Sequence, residues 1–170
     1  MNMRMVVAAA VLAAGLAAQA ASLKEGTKEF NVSGLFDPTT ASGTEFQMKL
    51  GCGYFVQDNI EIGGRIGYEN NNDVTQFNAG PFAEMDFDLG SEVVPFVGAE
   101  LDFAYANTTA GDSGALALTG YGGAKYFLSE TVALGARLEL SAATDKIYPK
   151  KDGADSTDVR IEFGMSFYFP

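Results

Sequence analysis

Between Asp158 and Phe169 the chain alternates without a break. Val159, Ile161, Phe163, Met165, Phe167 and Phe169 fall on one face, and Asp158, Arg160, Glu162, Gly164, Ser166 and Tyr168 on the other. Successive side chains of a β-strand point to opposite sides, so a sustained period of two builds one apolar and one polar surface. A helix would scatter the same residues around its circumference. The pattern recurs backward through the chain. Val132, Leu134, Ala136, Leu138 and Leu140 stand against Gly135, Arg137, Glu139 and Ser141, and Leu116, Leu118, Ala124 and Tyr126 against Thr119, Tyr121, Gly123 and Lys125. Before them, Val97, Ala99, Leu101, Phe103 and Tyr105 oppose Gly98, Glu100 and Asp102, while Phe77, Ala79, Ala83, Met85 and Phe87 oppose Gln76, Asn78, Gly80, Glu84 and Asp86. Ile60, Ile62, Ile66 and Tyr68 oppose Glu61, Gly63, Arg65, Gly67 and Glu69, and Phe46, Met48, Leu50, Cys52 and Tyr54 oppose Glu45, Gln47, Lys49, Gly51 and Gly53. The first run sets Phe30, Val32, Gly34 and Phe36 against Glu29, Asn31 and Ser33.

Eight runs of this kind, each roughly 9–11 residues long, have the reach of tilted membrane strands. Tight connections around Gln57-Asp58-Asn59, Leu89-Gly90-Ser91 and Ser129-Glu130-Thr131 alternate with longer, more polar ones at Asp37–Gly43, Ala106–Gly114 and Ala143–Ser156, and Asn70–Asp73 is intermediate. Short turns at one end and longer loops at the other are the outer-membrane pattern, and an even strand count leaves both termini at the short-turn, periplasmic end. Pro81 and Pro95 fall inside two runs, where a proline lacks a ladder donor, so the register there stays open.

Residues 1–20 read as a signal peptide. Arg4 gives the positive start, Val6 to Leu16 the uncharged apolar stretch, and Ala18-Gln19-Ala20 the small-x-small cleavage pattern. The stretch is short of the roughly 20 apolar residues a spanning helix needs. Residues 21–170 then form one domain. A single cysteine, Cys52, excludes an internal disulfide. With no later helical span in the sequence, membrane residence requires a closed barrel, the other architecture that satisfies every backbone group in lipid.

Alternation alone leaves two barrels open: one in a membrane with its apolar face outward, and a soluble, lipocalin-like binder with that face inward. Three features favour the first. Aromatic residues gather toward strand ends on the apolar face: Phe30, Phe36, Phe46, Tyr54, Tyr68, Phe87, Phe103, Tyr105, Tyr126 and Phe169. That matches girdles at two membrane interfaces. The polar face is rich in glycine, as a narrow eight-stranded lumen requires. Charges of both signs sit near strand middles on that same face. The expected fold is therefore all-β: an eight-stranded antiparallel up-and-down transmembrane β-barrel preceded by a signal peptide.

Gly53-Tyr54-Phe55-Val56-Gln57-Asp58-Asn59-Ile60-Glu61-Ile62-Gly63 resembles the periplasmic hairpin of small OmpA/OmpX-like outer-membrane barrels. It recurs 72 positions later as Lys125-Tyr126-Phe127-Leu128-Ser129-Glu130-Thr131-Val132-Ala133-Leu134-Gly135. Pro95-Phe96-Val97-Gly98-Ala99 and the closing run ending in Phe169 are similar to strands of the same family. The resemblance implies residence in the outer membrane of a diderm (Gram-negative type) bacterium, contact with outer-membrane lipids, and a monomeric state. It also implies recognition by the barrel-assembly machinery during biogenesis, although Pro170 follows the closing aromatic residue. The peptidoglycan-binding domain of longer relatives has no expected counterpart.

Counting along the strands places Lys49, Arg65 and Arg137 near mid-barrel, with Glu100, Glu139 and Glu162 at comparable depths. Unpaired charge there is costly, so a lumen ion-pair network is expected. Glu45, Glu69, Asp102 and Asp158 are expected as rim charge, solvated or beside divalent cations at lipid headgroups. The net charge of −11 argues against nucleic acid. The chain has no histidine and no nucleophile elbow, so no enzyme activity, cofactor or metal centre is expected. The leading functional expectation is a structural, membrane-integrity or surface-interaction protein with a filled lumen. The alternatives are a narrow, low-conductance porin-like channel and the soluble binder.

Overall fold

In the computed structural model the described residues are 23–40, 43–70, 74–108, 111–150 and 153–170, so the expected signal peptide lies outside them. Eight long strands form: β1 (Lys28–Thr40), β2 (Gly43–Gln57), β3 (Ile60–Asn70), β4 (Val74–Asp86), β5 (Val93–Thr108), β6 (Gly111–Ser129), β7 (Val132–Ala143) and, after a small hairpin of β8 (Tyr148–Lys150) and β9 (Gly153–Asp155), β10 (Thr157–Phe169). Each long strand pairs antiparallel with its neighbours in sequence, and β1 closes onto β10 with Lys28 opposite Phe169 and Gly34 opposite Phe163. Closure removes every sheet edge, which lipid requires.

The connections differ from expectation at the loop end. Within the expected loops Asp37–Gly43 and Ala106–Gly114, β1 continues to Thr40, opposite Gly43 at the start of β2, and β5 to Thr108, opposite Gly111 at the start of β6. The third long connection holds β8 and β9. Above the apolar band both faces of a hairpin meet water, so alternation stops marking strands that backbone pairing still extends.

The register runs straight through both prolines. Pro81 lies at a gap in the β4–β5 ladder, between the Ala79–Phe103 and Phe82–Glu100 pairs. Pro95 stands opposite Ala124 on one side. On the other it lies beyond the end of β4, where its carbonyl accepts the Phe87 N–H at 2.8 Å. Each therefore occupies a place where the missing donor costs little. The two copies of the repeated hairpin carry the same irregularity. The register shifts between Phe55 and Gln57 in one, and between Phe127 and Ser129 in the other. In each copy the phenylalanine just before the bulge faces inward by ordinary alternation, and both rings are fully buried.

The apolar face points out. Ile66 is 59 % exposed while its neighbour Arg65 is 6 % exposed, and Leu118, Leu140, Ile161 and Phe163 are likewise exposed. This is the reverse of a soluble binder with an apolar cavity. A continuous apolar belt is far larger than the few hundred Å² patches tolerated in water. Lipid is the solvent this exterior fits. Phe30, Tyr54, Phe87, Tyr126 and Phe169 lie toward the short-turn end, and Tyr68, Phe103 and Tyr105 toward the loop end, joined there by Phe77, whose ring lies 4.9 Å from that of Tyr68. The side chain of Phe36 lies outside the described residues.

Candidate functional site in the barrel lumen

The polar face of each strand converges on a lumen only wide enough for its own side chains. The structure brings together all six charges expected at mid-barrel. Lys49 Nζ lies 3.0 Å from Glu139 and 3.1 Å from Glu162, and Arg137 reaches the same two carboxylates at 2.7 and 2.6 Å. Arg65 meets Glu100 at 2.9 Å and extends to Glu84 at 3.5 Å. Aromatic rings flank the arginines. The Arg65 guanidinium lies 3.9 Å from the Phe82 ring centroid and 4.9 Å from that of Tyr121, which also faces Arg137 at 4.8 Å. Glycine makes this possible. A Cβ on Gly63 would sit 2.6 Å from Phe82 Cζ, and one on Gly98 would enter the Tyr121 ring.

Two charged tiers flank this centre, and counting strand positions did not resolve either. Toward the short turns, Lys125 contacts Glu84 at 2.6 Å, Asp86 at 3.1 Å and Glu29 at 3.2 Å, and Glu29 accepts the Ser166 hydroxyl at 2.6 Å. Toward the loops, Arg160 pairs with Asp158 and, at 2.6 Å, with Glu69. Glu69 and Asp102, expected at the rim, are instead buried inside, and the side chain of Glu45 lies outside the described residues. The parity of these residues was legible, but their depth was not. A long lysine or arginine side chain reaches its partners across the barrel, and strand position alone does not give that reach.

Among the described residues, apolar packing occupies both mouths. At the short-turn end, residues 23–27 form a strap. Asn59 N–H donates to the Leu23 carbonyl at 2.8 Å, Gly26 N–H to Phe55 at 2.9 Å, and Phe55 N–H to Thr27 at 2.9 Å. Leu23 closes a buried cluster with Phe55, Val94, Phe127, Ala133 and Tyr168. Asp58 clamps the strap from the turn. It accepts the Glu25 N–H at 3.0 Å and the Lys24 ammonium at 3.1 Å, and these contacts hold its carboxyl below the usual range. At the loop end, Ile147 and Tyr148 pack onto Ala104, Ala106, Ala115 and Ala117. Asp145 fixes this cap by accepting the Ser113 hydroxyl at 2.8 Å and the Lys146 N–H at 2.7 Å, which lower its pKa. Among the described residues the lumen holds a cavity of about 30 Å³ beside Lys49, Glu69 and Arg160 and another of about 30 Å³ beside Glu29, Arg137 and Ser166. Such a volume holds roughly two waters.

No family model and no curated protein matches the sequence. Solved structures do. Neisserial surface protein A superposes with a TM-score of 0.61 at 19 % identity, covering 84 % of this chain and 96 % of that one. The N-terminal β-barrel domain of Pseudomonas aeruginosa OprF gives 0.59 at 19 % identity, with 85 % and 98 % covered. A de novo designed transmembrane β-barrel gives 0.55 at 17 %, with 87 % and 99 % covered. The chain thus has the fold of the small eight-stranded, OmpA/OmpX-like outer-membrane barrels.

Proposed function

We propose that this protein is a non-conducting, non-catalytic structural barrel of the outer membrane, with its short-turn end toward the periplasm and its extended hairpins toward the outside. The observation that carries this reading is the lumen. It is crossed by three tiers of ion pairs and closed at both mouths by apolar packing. A pore needs a continuous water path, and the ion pairs of Lys49 and Arg137 with Glu139 and Glu162 stand between two lumen cavities of about two waters each. The mid-lumen carboxylates of Glu100, Glu139 and Glu162 face cations, and the chain has no histidine to act as a base, which supports a role without catalysis.

Planar-bilayer recording of the purified full chain tests the reading. The expected result is no unitary conductance for the wild type and none for Arg65→Ala. The variant loses about 3–5 kcal/mol in a urea titration, because Glu100 and Glu84 lose a buried partner. Discrete wild-type channel openings whose size changes in Arg65→Ala would establish the charged-gate alternative instead.

A further inference from the structure

The charges at the short-turn end do not balance. Glu29 on β1, Glu61 on β3, and Glu84 and Asp86 on β4 are all buried around one ammonium, that of Lys125. Arg65 touches Glu84 only at 3.5 Å and is engaged more closely by Glu100. Four carboxylates facing one full cation in a closed lumen call for further positive charge.

One oxygen each of Glu29, Glu61 and Glu84 lies within 4.8 Å of the other two. Two further observations point to a ligand there. Glu61 is 1 % exposed, and its Oε1 has no hydrogen-bond partner among the described residues. The Tyr168 hydroxyl, on another strand and also buried, has none either, and the Tyr168 ring centroid lies 5.7 Å from the Lys125 ammonium that these acids surround.

We infer that Glu29, Glu61 and Glu84 bind one calcium ion beneath the strap, with the Tyr168 hydroxyl facing its coordination shell. Calcium accepts irregular sets of oxygen ligands, whereas magnesium demands near-ideal octahedral geometry at about 2.0–2.1 Å. Three oxygens within 4.8 Å of one another can reach one ion without moving a strand. Lys125 does not exclude it, because a carboxylate offers about four acceptor positions and the ammonium takes only some of them. One divalent ion offsets two of the excess charges with every acid ionised. A proton on Glu61 offsets one, and leaves the Tyr168 hydroxyl without a partner. The role is distinct from the sealed lumen, because a barrel closed at both mouths does not require a metal.

The test uses the full mature chain, refolded in detergent and freed of metal by chelation. Terbium, a luminescent calcium surrogate, is excited through tyrosine; the chain has no tryptophan to confuse the signal. One saturable emission site is expected, displaced by calcium in preference to magnesium and dimmed in Tyr168→Phe. Calcium at about 1 mM, within the range of extracellular modules, should raise the urea midpoint of the wild type. Glu61→Gln should lower calcium affinity more than about tenfold. Glu69→Gln, at the opposite mouth, should leave the calcium response intact. A wild-type midpoint unmoved by calcium overturns the proposal and assigns protons to these acids; so does a calcium response lost in Glu69→Gln. If Glu61→Gln does not fold, the wild-type titration and Tyr168→Phe decide the matter.

Discussion

Gly98 shows how the interior was chosen residue by residue. It lies on the lumen face of β5, opposite Tyr121 of β6, and the Tyr121 ring occupies the space where a side chain would begin. That ring in turn faces both Arg65 and Arg137. Glycine here is a packing choice, since the ring has no other route to the guanidinium groups. Gly98→Val should therefore cost about 1–3 kcal/mol by overpacking. Lipid vesicle refolding in urea would show it. A variant as stable as the wild type would mean that Tyr121 swings aside freely and that the sandwich around Arg65 is not fixed.

At the scale of elements, the repeated hairpin has a physical explanation. In both copies an outward tyrosine is followed by a phenylalanine that points into the mouth just before the bulge, where Phe55 and Phe127 meet Tyr168. The strap completes the seal only because the turn at Asp58 holds it. The Asp58 carboxyl is about half exposed, at 51 %, and its pKa is lowered below its ordinary 3.8, first by the Glu25 N–H and then by Lys24. A lowered folded-state pKa stabilises the docked strap fully above 3.8, and this contribution is lost as pH falls through the lower folded value. Amide-exchange protection of Asn59, normalised for intrinsic rate, should stay constant from pH 7 to pH 5 and fall in more acid solution. In Asp58→Asn it should be lower throughout and lack that acid step.

The whole molecule is defined by which solvent touches which face. Leu138 faces outward on β7, paired with Ile161 of β10 and Gly122 of β6, far from either mouth. In water an exposed leucine tolerates replacement by arginine. At the midplane of a bilayer the same change costs about 2–4 kcal/mol. Leu138→Arg should show that loss in lipid vesicles, and a change near zero would contradict the lipid-facing assignment. Heating should also shift the migration of detergent-extracted protein on a gel, as expected for a closed barrel whose ladder has no free edge.

Alternation by itself determined the strand number, the antiparallel order and which residues share a face, because a period of two admits one backbone geometry. Counting along the strands also marked Lys49, Arg65, Arg137, Glu100, Glu139 and Glu162 as mid-lumen charge, and the tertiary structure pairs Lys49 and Arg137 with Glu139 and Glu162, and Arg65 with Glu100. Alternation alone could not say which face was wet, since a membrane barrel and a soluble one share that period; aromatic strand ends, lumen glycines and mid-strand charges favoured lipid outside, and the closed barrel with Arg65 inside and Ile66 outside agrees. It also could not give the depth of Glu29, Glu61, Glu84 and Asp86 relative to Lys125. These residues lie on four strands separated by up to 96 positions, and their convergence depends on the stagger of the closed barrel. Nor did alternation announce the strap or the cap. Both close the mouths through single residues, Leu23 and Tyr148, whose role arises only from the rings and alanines they meet.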